Sequence, residues 1–152
     1  GIAIMYAYSG ITLGDFASGF LSQVLRSRKK ALYVFLGITG VGFVLYFNAH
    51  GISAAAFYGI ITLLGFGTGF WAIVVTNAAE QFGTNLRNTV ATTVPNFIRG
   101  SLPILIFSYK GLQSHFSQLH SAAIVAAFCI IVPMIAAYYS EETYGKDLDY
   151  IE

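Results

Sequence analysis

The sequence predicts an all-α fold, a polytopic transmembrane helical bundle of five spans with a short acidic tail. Three observations carry that prediction. Five long apolar stretches are joined by short polar connectors. Hydrophobic residues make up 56% of the 152 positions and charged residues only 10%, with a mean hydropathy of +0.67, far from an average soluble domain. Only two charges, Asp15 and Arg99, lie deep inside a stretch.

The stretches cover residues 1–25, 31–49, 52–79, 88–112 and 121–140, with the tail at 141–152. Each meets the length of about 20 predominantly apolar residues that takes a helix across the hydrocarbon. A soluble bundle would place a polar face at helical spacing on every helix, and 31–49 and 122–139 have none. A transmembrane barrel needs short alternating segments, which are absent.

In the first stretch, Gly10, Gly14, Ser18 and Ser22 recur at every fourth position and predict a smooth stripe for a neighbouring backbone. The second and fifth stretches hold no charged residue, so they are expected to face lipid, while the first, the fourth and part of the third line the interior. In the third, Gly65, Gly67 and Gly69 cannot share one stripe; they predict a flexible or closely packed segment just before Trp71. A phosphate-binding loop is excluded there, because no strand and turn precede the glycines. Asn77 follows, and Glu80 closes the stretch. In the fourth, Asn96 lies one turn before Arg99 on the same face, bracketed by Pro95 and Pro103, which predict a bend or a plain kink.

Basic residues set the expected orientation. The first connector holds Arg26, Arg28, Lys29 and Lys30, the third holds Arg87 and the tail holds Lys146; the second connector has none and the fourth only Lys110. This alternation puts the first and third connectors and the C-terminus in the cytoplasm and the N-terminus outside. The chain opens on Gly1 within an apolar run, with no basic n-region or cleavage pattern, which predicts that at least one span precedes it.

Asp15 lies ten residues before Leu25 and Arg99 eleven after Asn88. At about 1.5 Å per residue, both sit roughly 15 Å from the inner surface, near the midplane. Opposite charges at one depth predict pairing. On a functional reading, Asp15, Asn77, Asn96 and Arg99 line a transport pathway, with Asp15 a proton or cation site and Arg99 an anion clamp or counter-ion. On a structural reading, the pair fixes helix packing. At the inner surface, Arg26, Arg28, Lys29, Lys30, Glu80 and Arg87 face Glu141, Glu142, Asp147, Asp149 and Glu152. These are either a latch that favours one gate state or a topology signal beside a solvated tail.

Other chemistry has little footing. Cys129 is single and lies in an apolar stretch, so neither a disulfide framework nor a thiolate site is expected. His50, His115 and His120 fall near the outer ends without metal-ligand spacing. No hydrolase signature is present, and a net charge of +1 does not suit nucleic acid. No cofactor, metal or enzymatic activity is expected. Aromatic residues at span ends, such as Tyr138 and Tyr139, fit interfacial belts.

Three segments resemble the major facilitator superfamily, especially its sugar-porter branch. Gly19-Phe20-Leu21-Ser22 with Arg26-Ser27-Arg28-Lys29-Lys30 is similar to the basic loop between the eighth and ninth helices. Glu80-Gln81-Phe82-Gly83-Thr84-Asn85-Leu86-Arg87 resembles the loop between the tenth and eleventh. Glu142-Thr143-Tyr144-Gly145-Lys146 resembles the tail after the twelfth. Gln23, Gly83 and Glu141 stand where that pattern has Asp, Pro and Pro, and no hexose substrate is implied. The resemblance implies helices eight to twelve of a twelve-helix fold. It further implies a cytoplasmic gate formed by Arg26, Arg28, Glu80, Arg87, Glu142 and Lys146, and a multi-pass protein of the cell membrane. Its expected partners are the lipid bilayer, the N-terminal half of the same transporter, a small polar solute, and a coupling proton or sodium ion. The expected function is secondary active transport by alternating access; a channel or a non-transporting receptor is the alternative.

Overall fold

The structure, a computed structural model, describes residues 1–145, and these are all-α with no strand among them. Seven helices run in order: α1 Ile2–Val24, α2 Arg28–Phe47, α3 Ala54–Thr68, α4 Trp71–Ala79, α5 Thr84–Gly100, α6 Leu102–Leu112 and α7 Gln118–Tyr139. Seven helices replace the five expected stretches because the third and fourth are each interrupted. The third breaks between α3 and α4 at Gly69 and Phe70, the fourth at Ser101, just before Pro103, whose ring nitrogen has no hydrogen to donate to the preceding turn.

Four runs are long and apolar enough to cross a membrane: Arg28–Phe47, Ala54–Ala79, Thr84–Leu112 and Gln118–Tyr139. With 23 residues α1 has the length, but Asp15, Gln23 and its Gly/Ser stripe keep it short of the apolarity of those four runs. Helix starts follow side-chain capping. The hydroxyls of Ser27, Ser53 and Ser117 accept from the backbone N–H of Lys30, Ala56 and His120, each satisfying a donor that the first turn leaves open. Between α1 and α2, Arg26 adopts φ 46° in the left-handed region. Its N–H bonds to Gln23 O and the Ser27 N–H to Ser22 O, a Schellman ending made without the usual glycine.

The expected small-residue stripe is the buried face of α1: Gly10, Gly14, Ser18 and Ser22 are its buried residues. It meets α3 backbone to backbone. A side chain on Gly10 would meet Thr62 and Phe66, and one on Gly14 would meet Phe66 and Gly69. From the other side, Gly65 abuts Ala7 and Gly69 abuts Gly14, whereas Gly67 points at Thr39 of α2. The three glycines therefore serve two contacts, which is why they share no stripe.

The expectation that the second stretch faces lipid is corrected. Helix α2 packs against α1, α3, α4 and α7, and buries Ala31, Leu32, Phe35, Leu36, Thr39 and Gly42. In contrast α5 and α6, placed in the interior by the charge of Arg99, contain no buried residue. An apolar helix reads alike whether lipid or another helix covers it, so hydropathy cannot make that distinction.

Candidate functional site

Polar side chains concentrate in two places, one at an end of the bundle and one midway along it. The end cluster gathers the α1–α2 turn, the C-terminus of α4 and the segment after α7. Arg28, in the first turn of α2, grips Glu80 with both arms, Nη2 to Oε1 at 3.0 Å and Nε to Oε2 at 3.3 Å. Such a fork fixes direction as well as distance. Arg28 Nη1 donates to Ser22 Oγ at 2.8 Å, and its guanidinium lies 5.6 Å from the centre of the Tyr144 ring. The buried Thr143 hydroxyl donates to Glu80 Oε2 at 2.6 Å and lies 3.1 Å from Asn77 Oδ1.

Glu142 faces the N-terminus of α2, where open N–H groups and the helix dipole favour an anion. Its Oε1 accepts from the backbone N–H of Arg28 at 2.9 Å, Thr143 at 3.1 Å and Tyr144 at 3.2 Å, and its Oε2 from the Ser27 hydroxyl. Burial works against its ionisation, but the hydrogen bonds from Ser27, Arg28, Tyr144 and Lys29 outweigh it and hold the carboxyl below the ordinary glutamate range. At the opposite pole, Lys29 Nζ donates to the last carbonyls of α7, Tyr138 O at 2.9 Å and Ser140 O at 2.6 Å. Ser140 Oγ accepts in turn from Asn77 Nδ2 at 3.3 Å and Gln81 Nε2 at 3.1 Å.

Of the six gate residues expected from sequence, the structure brings together Arg28, Glu80 and Glu142. Arg26 is exposed and acts in the turn through its backbone. Arg87, in the first turn of α5, reaches through Nη2 to Phe82 O of the preceding loop at 3.5 Å. Lys146 lies outside the described residues, as do Asp147, Asp149 and Glu152. Asn77, expected in the pathway, belongs instead to this end cluster through Ser140 and Thr143. Ser22, Ser27 and Thr143 were not foreseen; of these, only Ser27 has a sequence signal, that of a helix cap ahead of an apolar run.

The mid-bundle group holds Asp15, Trp71 and Arg99. The expected Asp15–Arg99 ion pair does not form. Asp15 Oδ1 accepts from the backbone N–H of Trp71 at 3.0 Å, the first residue of α4, so α1 supplies the cap that the broken third stretch lacks. The Arg99 guanidinium lies 5.7 Å from the centre of the Trp71 ring. That distance is within cation–π range. Thus both charges reach Trp71, one its backbone and the other its ring, and not each other.

A third feature was only partly foreseen. On α5, Asn88, Thr89, Thr92, Asn96 and Arg99 are all exposed and fall within an arc of about 100° at 3.6 residues per turn. Their side chains form a polar stripe from the start of α5 to the Trp71 level. Thr92 Oγ1 bonds back to Asn88 O at 3.1 Å, and Asn96 Nδ2 to Thr92 O at 3.1 Å. The spacing 88, 92, 96 and 99 is legible in the sequence, although uncharged amides and hydroxyls stand out less from an apolar run than the charge of Arg99.

Comparison with models of known protein families, with curated proteins and with solved structures finds no match.

Proposed function

We propose that this chain belongs to a secondary active transporter of a small polar solute, built on the plan of the major facilitator superfamily and embedded as a multi-pass protein in the cell membrane. The observation that carries the reading is the placement of polar groups in an otherwise apolar bundle. A tight ionic cluster closes one end, and a separate charged group lies midway, joined to that end by the α5 stripe. Polar groups at that depth are costly unless they face water, a partner or a solute. The basic residues of the α1–α2 turn assign the clustered end to the cytoplasm.

In this reading Arg28, Glu80, Glu142 and Thr143 hold the cytoplasmic gate shut, and rocking of the two transporter halves breaks and remakes them. The interruption at Gly69 and Phe70 leaves an α4 N-terminus at mid-depth, the arrangement discontinuous helices use to meet charged groups. Asp15, which caps it, is the candidate coupling site for a proton or sodium ion.

The test is counterflow with the intact protein in proteoliposomes, using labelled hexose, amino acid and carboxylate probes. Saturable exchange is expected, whereas current without exchange indicates a channel, and neither indicates a receptor. Asp15→Asn keeps an oxygen for the Trp71 N–H but loses the charge. It is expected to abolish uptake driven by a pH or sodium gradient and to leave exchange at equilibrium measurable. Gradient-driven uptake equal to that of the unaltered protein removes Asp15 from coupling.

A further inference from the structure

We infer that Arg99, seated against Trp71 at the deep end of the α5 stripe, binds the carboxylate of a small organic anion. This rests on the transporter reading and narrows its solute. The obvious alternative was that Asp15 neutralises Arg99 from within the protein, and the geometry removes it. The Asp15 carboxylate is turned onto the Trp71 N–H at 3.0 Å, and among the described residues nothing accepts a hydrogen bond from the Arg99 guanidinium.

The surroundings suit an anion better than a neutral solute. Trp71 meets the guanidinium at 5.7 Å from the ring centre, an attraction to the π face that leaves the N–H donors available. Two parallel N–H donors match the two oxygens of a carboxylate, a fit that a spherical cation does not offer. Arg99 is exposed, and so are Asn88, Thr89, Thr92 and Asn96, so a hydrated solute has a polar track to it from the clustered end. A guanidinium at mid-depth with no direct ion-pair partner among the described residues gains most when an incoming group supplies one. Trp71 then offers an indole edge to the solute's body.

The experiment uses the intact protein in detergent and follows the indole emission lost in a Trp71→Phe variant, so that the signal belongs to Trp71 whatever other indoles the protein has. Benzoate, acetate and succinate are titrated against benzamide, which keeps the ring without the charge, and against inorganic phosphate. A saturable change is expected with at least one carboxylate, with benzamide weaker by about tenfold or more, a difference of one charge-assisted contact. Arg99→Gln is expected to abolish the preference, and Arg99→Lys to keep it at reduced affinity, since the charge remains but the fork is gone. Equal response to benzoate and benzamide, an undiminished preference in Arg99→Gln, or no saturable response to any carboxylate overturns the proposal; phosphate alone binding assigns the site to inorganic anions and also overturns it. Counterflow of a hexose or amino acid alongside any of these negatives leaves the transporter reading standing and removes only the anion.

Discussion

At Gly14 a single methyl group decides whether two backbones can meet. A Cβ there would lie against the Phe66 carbonyl and 3.0 Å from Gly69 Cα, and neither is the end of a flexible side chain that can swing away. Gly19, on the same helix five residues on, has nothing within 4 Å of the same added atom. Gly14→Ala should therefore destabilise the α1–α3 contact by about 1–3 kcal/mol, as overpacking does. Gly19→Ala should be neutral or stabilising by up to about 1 kcal/mol through helix propensity. Thermal unfolding in detergent compares the two, and equal midpoints would show that the helices separate freely. This stripe was legible in the sequence because a period of four is a local property. The Asp15 partner was not, since a backbone N–H has no residue type to recognise, and it is exposed only where α3 and α4 part company.

The segment after α7 ties elements together chiefly through Glu142, which caps α2 while Thr143 bonds Glu80 of the α4 end and Lys29 binds the α7 carbonyls. Because its carboxyl titrates below the ordinary value near 4.3, the stabilisation it gives is complete above that value and is lost as the pH falls through the lowered one. The carboxylate is only partly buried, so its hydrogen bonds contribute about 1 kcal/mol, the low end for charged acceptors. Amide exchange at Arg28, Thr143 and Tyr144 should then be about fivefold faster in Glu142→Gln at neutral pH. The gap should close in acid, where the protonated carboxyl resembles the amide. A gap that persists at low pH would mean that shape, not charge, holds the segment. Sequence patterns foresaw a basic turn facing an acidic tail but not which residues meet: Arg26 and Arg28 look equivalent until the left-handed turn at Arg26 directs one outward and the other onto Glu80.

Across the whole molecule, the apolar patterning located the long helices but not their neighbours, because burial against lipid and burial against protein select the same side chains. That is how α2, with no charged residue between Lys30 and Phe47, proves to be the helix on which four others pack. Polar residues carry the opposite information. On the α5 face bearing Asn88, Thr92 and Asn96 these three are exposed and Arg99 reaches Trp71 of α4, while Val94 on the opposite side lies beside Ala78 of α4. If that stripe lines water, its accessibility depends on the end cluster beside the start of the same helix. With Cys129 replaced by Ala, cysteines placed at Asn96 and Ile98 sample two exposed faces of α5 only about 3 Å apart along its axis. Maleimide reacts with thiolate, which forms in water and not in hydrocarbon. Asn96→Cys should label faster than Ile98→Cys by about tenfold or more, a difference in local hydration rather than in exposed area. Adding Glu142→Gln should speed labelling from the cytoplasmic side at Asn96→Cys and leave Ile98→Cys unchanged. Equal rates at the two sites would make the stripe a surface for another helix, and an unaltered rate in the Glu142 variant would uncouple the end cluster from the path that leads to Arg99.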